Sequence, residues 1–483
     1  MPALFVYFGC QKTRATMNPK NFTTRFLIVF FFLTAASHAL PAQELEGTWQ
    51  GRLKILLFGQ DVRFVIHFVR DSIDHTYTGI VDIPDQKEKN VDVDVEVRED
   101  SLFLSFPTFN GDYAAKYNPD SAAYLGIFKQ LGAKLNFKLV KGDADDLVYY
   151  RPQKPKKPYP YHEEEVMIEN KQANLLLAGT FTRPEKKGKY PAVILITGSG
   201  PENRDETVFG HKPFLVLADY LTRKGFAVLR CDDRGTAKST GDYAGTSADY
   251  ATDVVAQLEY LKTRKDVDAK RTGLLGHSEG GLIAPLVAAH RNDVAFVALW
   301  AGPAIDMYEL LLIQDSLVLA SEEASATTIR QSVERNKKIF EFIINTPDSA
   351  AAADSIDKYL SAAHTSDQEI ASTLRLVDGR WMRWFIGFDP RENLGKLLCP
   401  VLAINGGKDV QVPAEINISS IRETLTRSGN KNFKAEVLPG LNHLFQKCKK
   451  CSVAEYVNID ETINPVALQV TGDWLEENFL KKK

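Results

Sequence analysis

Between Glu46 and about Lys141, apolar and polar residues alternate with a period of two. The pattern is plainest in VDVDVEV, where Val91, Val93, Val95 and Val97 share one face and Asp92, Asp94 and Glu96 the other. Such alternation predicts antiparallel strands with one face buried. About eight runs of this kind, among them TWQGRLKIL, VRFVIHFV, YTGIVDI, SLFLSF, AYLGIFK and LNFKLV, are separated by polar turns such as NGD, a spacing that suits a small barrel or sandwich over 43–150. The pattern ends at RPQKPKKPYPY, where Pro152, Pro155, Pro158 and Pro160 stand among four basic residues. That composition predicts a semi-rigid extended linker over 151–162 and a domain boundary.

Beyond the linker, over 163–483, short buried runs alternate with helical ones, which predicts a mostly parallel sheet covered on both faces. AVILIT, AVLRC, TGLLGH, AFVALWA and PVLAING read as strands, and HKPFLVLADYLTRKG and ADYATDVVAQLEYLKTRK as helices. From about Ile305 to Phe388 the texture is helical, rich in Ala, Ser, Asp and Glu, with no convincing strand. An inserted helical cap over about 305–390 is the expected interpretation.

Composition narrows the function without choosing it. The 483 residues are 44% hydrophobic and 25% charged, values of an ordinary globular chain. With 59 Lys plus Arg against 62 Asp plus Glu, the net charge of −3 supplies no overall positive field for nucleic acid or an anionic membrane. Five cysteines are too few for a disulfide framework, and only Cys448 and Cys451 lie close together. This C-x-x-C suggests a local disulfide or two thiols; a zinc site would need two further ligands. Near the start, Lys20 and Arg25 precede the apolar run FLIVFFFL, and small residues follow in TAASHALPAQ. The arrangement is that of a signal peptide over 1–42, cleaved after Ala39 or Ala42, so a secreted or periplasmic location is expected. The apolar run is too short for a bilayer span, which needs about 20 residues, so no stable membrane anchor is expected after its removal.

The chemistry centres on Gly276-His277-Ser278-Glu279-Gly280. It follows the apolar run TGLL and precedes the helical run LIAPLVAAH, giving the strand, sharp turn and helix that such a serine requires. A serine hydroxyl is a weak nucleophile at neutral pH, so it needs a base, and the base needs a carboxylate to fix its tautomer. Three histidines follow Ser278. His290 closes the helix after the nucleophile, some 15 Å or more away at about 1.5 Å per residue, and His364 belongs to the insertion. His443, in the loop GLNHLF, remains. Asp409, in NGGKDVQVP just after the strand PVLAI, is the expected acid, with Asp306 as the alternative at the start of the insertion. Donors for an oxyanion are expected from the backbone N–H of Glu279 and from the loop ITGSGPENRDE, where Ser199 is the candidate. That loop lacks the ending of a phosphate loop and the spacing of a dinucleotide fingerprint.

ILITGSGPENRDE, CDDRGTAKSTGD, GHSEGG, GGKD and GLNHLF, taken in order, resemble the α/β-hydrolase superfamily over about Tyr161 to Leu480. Within it they look like the secreted bacterial esterase branch often labelled serine-aminopeptidase-like. The resemblance implies an eight-stranded, mostly parallel sheet with an inserted helical cap and a Ser278, Asp409, His443 triad. It also implies a structural turn at Asp232, Arg234 and Gly235, and an oxyanion loop shaped by Asn203, Arg204 and Asp205. Thr197-Gly198 departs from the His-Gly of many relatives. At the other end, Gly47-Thr48-Trp49 resembles the G-x-W that opens lipocalin-like barrels. The expected activity is that of a serine carboxylesterase acting on small or medium acyl esters, with no cofactor, no metal and no nucleic-acid partner. An aminopeptidase or amidase with the same triad is the alternative, and needs an acid to anchor an α-amine. Glu322 and Glu323 of the cap suggest such a pair, although a solvated helix face is the plainer reading. A binding protein on a non-catalytic hydrolase scaffold is the alternative from another class. Trp381, Trp384, Phe385 and Phe388 are expected in the core where the cap rejoins the sheet, some of them lining an acyl pocket.

Overall fold

The computed structural model describes residues 45–55, 60–71, 74–83, 88–130, 133–142, 151–377 and 379–480. The signal segment over 1–42 lies outside them. The described chain forms two compact units that divide between Tyr150 and Arg151.

The first unit is a closed barrel. Its strands are β1 (Gly47–Ile55), β2 (Gln60–Arg70), β3 (Tyr77–Ile83), β4 (Glu88–Arg98), β5 (Ser101–Phe106), β6 (Gly111–Asn118), β7 (Ala123–Gln130) and β8 (Ala133–Lys141). Each pairs antiparallel with the next, and β1 closes on β8 with Gly51 opposite Leu139. Among the described residues, closure leaves no unpaired edge. The period-two alternation becomes an inside and an outside: Leu102, Leu104 and Phe106 of β5 are buried while the residues between them are not. Phe64, Phe106, Phe128 and Phe137 meet in edge and tilted ring contacts. Trp49 is fully buried and donates its indole N–H to the Leu45 carbonyl at 2.7 Å. The interior is thus a packed aromatic core.

The second unit is built on β9 (Tyr161–Asn170), β10 (Leu175–Pro184), β11 (Tyr190–Ile196), β12 (Ala227–Cys231), β13 (Val267–His277), β14 (Val297–Trp300), β15 (Val401–Gly406) and β16 (Phe433–Leu438). They lie in the order β16-β15-β14-β13-β11-β12-β10-β9. The pairs from β12 through β16 are parallel, and β10 pairs antiparallel with both β12 and β9. Helices α1 (Pro213–Lys224), α2 (Ser247–Thr263) and α3 (Glu279–Ala288) fall between strands. The insertion carries α4 (Met307–Ser321), α5 (Ala326–Asn345), α6 (Ser349–Ala362), α7 (Asp367–Val377) and α8 (Arg380–Ile386). Then follow α9 (Arg391–Leu394), α10 (Ala414–Arg427) and α11 (Pro465–Phe479).

Both faces of the sheet's centre are dry, which is why β11, β14 and β15 are almost entirely apolar. Ile194 and Ile196 of β11 join the core shared with α2, α3 and α10, whereas Val193 and Leu195 join the core shared with α1 and α11. Helix starts follow local chemistry. Thr246 and Asp249 form a reciprocal capping box on α2, and Asp306, Ser325 and Asp348 cap the cap-domain helices α4, α5 and α6. At the other end of α1, Gly225 takes the left-handed conformation with φ +111° that closes a helix.

The segment expected as a semi-rigid extended linker over 151–162 is docked at its start on the second unit: Arg151 donates to the carbonyls of Phe209, Val457 and Ile459, and Gln153 bonds the backbone of Thr462 and Ile463. A guanidinium and an amide saturate carbonyls that proline-rich composition alone does not reveal. The eight strands that the resemblance implies include β9 and β10, an antiparallel pair at the sheet edge that precedes the strands read from the pattern.

Candidate active site

The site grows from the steric demands of one turn. β13 ends at His277, and α3 starts at Glu279, so Ser278 alone must reverse the chain. It does so at φ +53° and ψ −117°, a conformation that a residue with a Cβ adopts only when its surroundings enforce it. Two glycines make the turn possible. A Cβ on Gly276 would stand 1.9 Å from the Gly280 carbonyl oxygen, and one on Gly280 would stand 2.2 Å from the Ile196 oxygen at the end of β11. Ser278 N–H is fixed by the Trp300 carbonyl at the end of β14. The serine is thereby held at the carboxyl edge of the sheet.

Asp409 and His443 meet at the same edge. His443 Nδ1 lies 2.7 Å from Asp409 Oδ2, and both residues are buried. The other carboxylate oxygen accepts the backbone N–H groups of Gln411 and Val412 at 2.8 and 2.9 Å. Two amide donors and an imidazole hold Asp409 as an acceptor, so Nδ1 carries the proton and Nε2 keeps its lone pair. The His443 loop is braced against the elbow, since His277 Nε2 bonds the His443 carbonyl at 3.1 Å and the two rings stand 4.8 Å apart. Among the described residues the Ser278 hydroxyl has no hydrogen-bond partner. Such contacts in ligand-free hydrolases commonly tighten only with substrate. The other candidates are elsewhere. Asp306 spends Oδ1 on the start of α4, His364 is exposed in the cap, and His290 lies past the end of α3.

The donor side is resolved by what its neighbours do. Gly198 N–H is taken by Glu206 Oε1 at 3.0 Å, and Gly200 N–H by the Tyr243 hydroxyl at 3.1 Å. Between them, Ser199 N–H has no partner among the described residues. A Cβ on Gly198 would stand 3.4 Å from Ser278 Cβ, so this loop passes directly over the serine. Glu279 N–H is the first of α3 and has no intrahelical acceptor. The N–H groups of Ser199 and Glu279 are thus uncommitted among the described residues, as two oxyanion donors would have to be. The loop is stiffened as the motifs suggest. Arg204 grips Asp232 through two nitrogens at 3.0 and 2.8 Å, Arg230 reaches Asp205 at 2.9 Å, and Arg234 grips Asp253 at 2.7 and 2.9 Å. Thr197, where many relatives carry His, donates its hydroxyl to Asp233 at 2.7 Å. Burial pushes the Asp233 carboxyl up to about 8. Glu202 is also raised to about 8, first by burial and then by Glu206 and Asp233.

Several side-chain contacts around the site have no counterpart in the sequence pattern. The Glu279 carboxylate is buried and accepts the Ser247 hydroxyl at 2.5 Å and the Trp381 indole N–H at 2.8 Å. Burial raises this carboxyl, and the donors Ser247, Trp381 and Ser199 oppose the shift. Trp381 stacks on Phe385, as Trp384 does on Phe388. Glu206 is buried against His277, and its signal was only its place in the loop motif. Glu323 of the cap is paired with Lys450 on the surface, as a solvated face would be. Cys448 and Cys451 form a disulfide.

A family model described as serine aminopeptidase, S33, matches residues 212–447. Esterase EstD of Thermotoga maritima is 29% identical over 294 residues, which are 59% of this chain and 61% of that protein. The chain thus spans less than two thirds of this curated relative. Among solved structures, esterase Pf2001 of Pyrococcus furiosus is 16% identical, covering 68% of this chain and 98% of its own with a TM-score of 0.43. Est1E of Butyrivibrio proteoclasticus, solved with ferulic acid bound, is 17% identical, covering 65% and 100% with a TM-score of 0.40. Sheet order, elbow, ordered motifs and family match agree: the second unit has the α/β-hydrolase fold.

Proposed function

We propose that this protein is a secreted or periplasmic serine carboxylesterase acting on small or medium acyl esters. Ser278 attacks the ester carbonyl, His443 Nε2 takes its proton and returns it to the leaving alcohol, and water then cleaves the acyl-enzyme. Asp409 holds the imidazole in the required tautomer, and the Ser199 and Glu279 N–H groups receive the developing oxyanion. The observation that carries this reading is the Asp409–His443 pair at the same sheet edge as a serine in a strained turn. The similarity to an esterase of Thermotoga maritima supports it. The location rests on the apolar segment near the start of the chain.

An aminopeptidase reading has the description of the matching family in its favour. It requires a carboxylate open to an α-ammonium group, and two acids that could serve are engaged elsewhere. Glu279 is committed to Ser247 and Trp381, and Glu323 to Lys450. The two readings separate on p-nitrophenyl acyl esters against aminoacyl p-nitroanilides. The esterase reading predicts higher kcat/KM for the esters, and faster turnover of the anilides reverses it.

A further inference from the structure

Behind the candidate triad stands a second carboxylate–imidazole pair. His277 is the residue before the nucleophile, and Glu206 ends the loop that passes over it. Both are buried, with Nδ1 of His277 at 2.8 Å from Oε1 of Glu206. The same Oε1 accepts the Gly198 N–H at 3.0 Å. The opposite ring nitrogen, Nε2, lies 3.1 Å from the His443 carbonyl oxygen. One side-chain pair therefore touches the neighbour of the oxyanion donor Ser199, the turn of the nucleophile and the backbone of the base. Glu206 adopts φ +53°, a left-handed conformation costly for a residue with a Cβ and retained where surroundings over-determine it.

The acceptors decide where the protons are. A backbone carbonyl can only accept, so Nε2 must carry a hydrogen. Oε1 already accepts from Gly198, and with Glu206 ionised Nδ1 must carry one too. The ring is then an imidazolium balanced by the carboxylate. We propose that Glu206 and His277 are a positioning pair, an imidazolium–carboxylate couple that locks the oxyanion loop to the main chain of His443. The inference rests on the esterase reading for its kinetic consequence only. Its direction follows from what faces the rings. On the loop side stand Glu206 and Glu202, and on the histidine side His443 and Asp409, with Phe445 packed at 6.3 Å from the His277 ring. Acids on both sides of the His277 ring favour its charged form, while its Nε2 holds the His443 carbonyl in place.

The test uses the full chain, with proton exchange at imidazole C2 read by mass spectrometry for the His277 and His443 peptides across pH. The expected result is that His277 titrates above the ordinary value of about 6.5. In Glu206→Gln, which keeps an acceptor for Gly198, His277 falls below it. In parallel, kcat on an ester falls at least about tenfold, part of what losing an oxyanion donor costs. KM stays within about twofold, so the loss falls on kcat. A His277 that titrates at or below the ordinary value in the unaltered chain overturns the proposal, even if Glu206→Gln does not fold. So does a folded Glu206→Gln with unchanged kcat. If no ester is turned over, the esterase reading fails while the exchange measurement still decides the pair.

Discussion

Trp381, at the start of α8 in the cap, donates its indole N–H to the carboxylate of Glu279, the residue that follows the nucleophile, at 2.8 Å. Cap and elbow are therefore joined across 102 residues of sequence by one hydrogen bond to a buried acid. Trp381→Phe keeps the ring stack on Phe385 and removes only the donor. A buried carboxylate that loses a partner costs about 1–3 kcal/mol. Urea unfolding of the variant measures this loss, and kcat/KM is expected to fall with it. An unchanged midpoint would mean that the contact contributes nothing.

Asp409 is held by the amides of Gln411 and Val412 and touches His443 Nδ1. Asp409→Asn preserves size but presents an amide donor where Nδ1 donates now, which favours the wrong tautomer. Ester kcat is expected to drop by about 10⁴-fold with little change in KM, the loss seen when this role is removed from a serine triad. A loss under tenfold would point to another acid.

The raised Asp233 carboxyl links stability to pH. Its pKa is about 4 in an unfolded chain and about 8 here, chiefly through burial. The folded form therefore binds the extra proton between those values. This contribution is fully present below about pH 4 and is lost as pH rises through 8, at about 1.4 kcal/mol per unit. Asp233→Asn, which can still accept from Thr197, is expected to flatten that slope. Denaturant midpoints taken from pH 4 to 9 check it, and a slope unaltered by the substitution would assign the dependence to other groups.

Gly280→Ala drives a Cβ to 2.2 Å from the Ile196 oxygen, a backbone atom at the sheet edge. The expected cost exceeds about 3 kcal/mol, the range reserved for strain at a special position. Gly429→Ala is the control, since no atom lies within 4 Å of its added Cβ. Only its left-handed φ of +82° opposes the substitution, at about 1–2 kcal/mol. Thermal melts of the two variants should separate clearly, and equal losses would deny that the elbow is sterically tight.

What the sequence made legible was whatever is written locally. The alternation at Val91–Val97 announces a barrel strand because one face is buried and the other is not. The elbow is readable because its glycines, strand and helix are contiguous, and Asp409 and His443 follow from strand ends and chain order. The pair β9 and β10 entered only through the eight strands that the resemblance implies, and pattern alone did not name it because β9 lies at the sheet edge. Its HEEE run keeps one face in solvent and dilutes the apolar signal. The docking of Arg151 on carbonyls about 300 residues away, and the indole of Trp381 on Glu279, have no local signature at all. Glu206 and His277 stood in recognised motifs, yet only the fold shows that one oxygen serves both the ring and Gly198.

The central claim is that Ser278 is a nucleophile activated by His443. Intact-mass measurement after exposure to a fluorophosphonate tests it most directly. The account predicts one adduct per chain on the Ser278 peptide, absent in Ser278→Ala and strongly slowed in His443→Ala. An adduct that survives in Ser278→Ala, or a chain that takes up no probe, would contradict it.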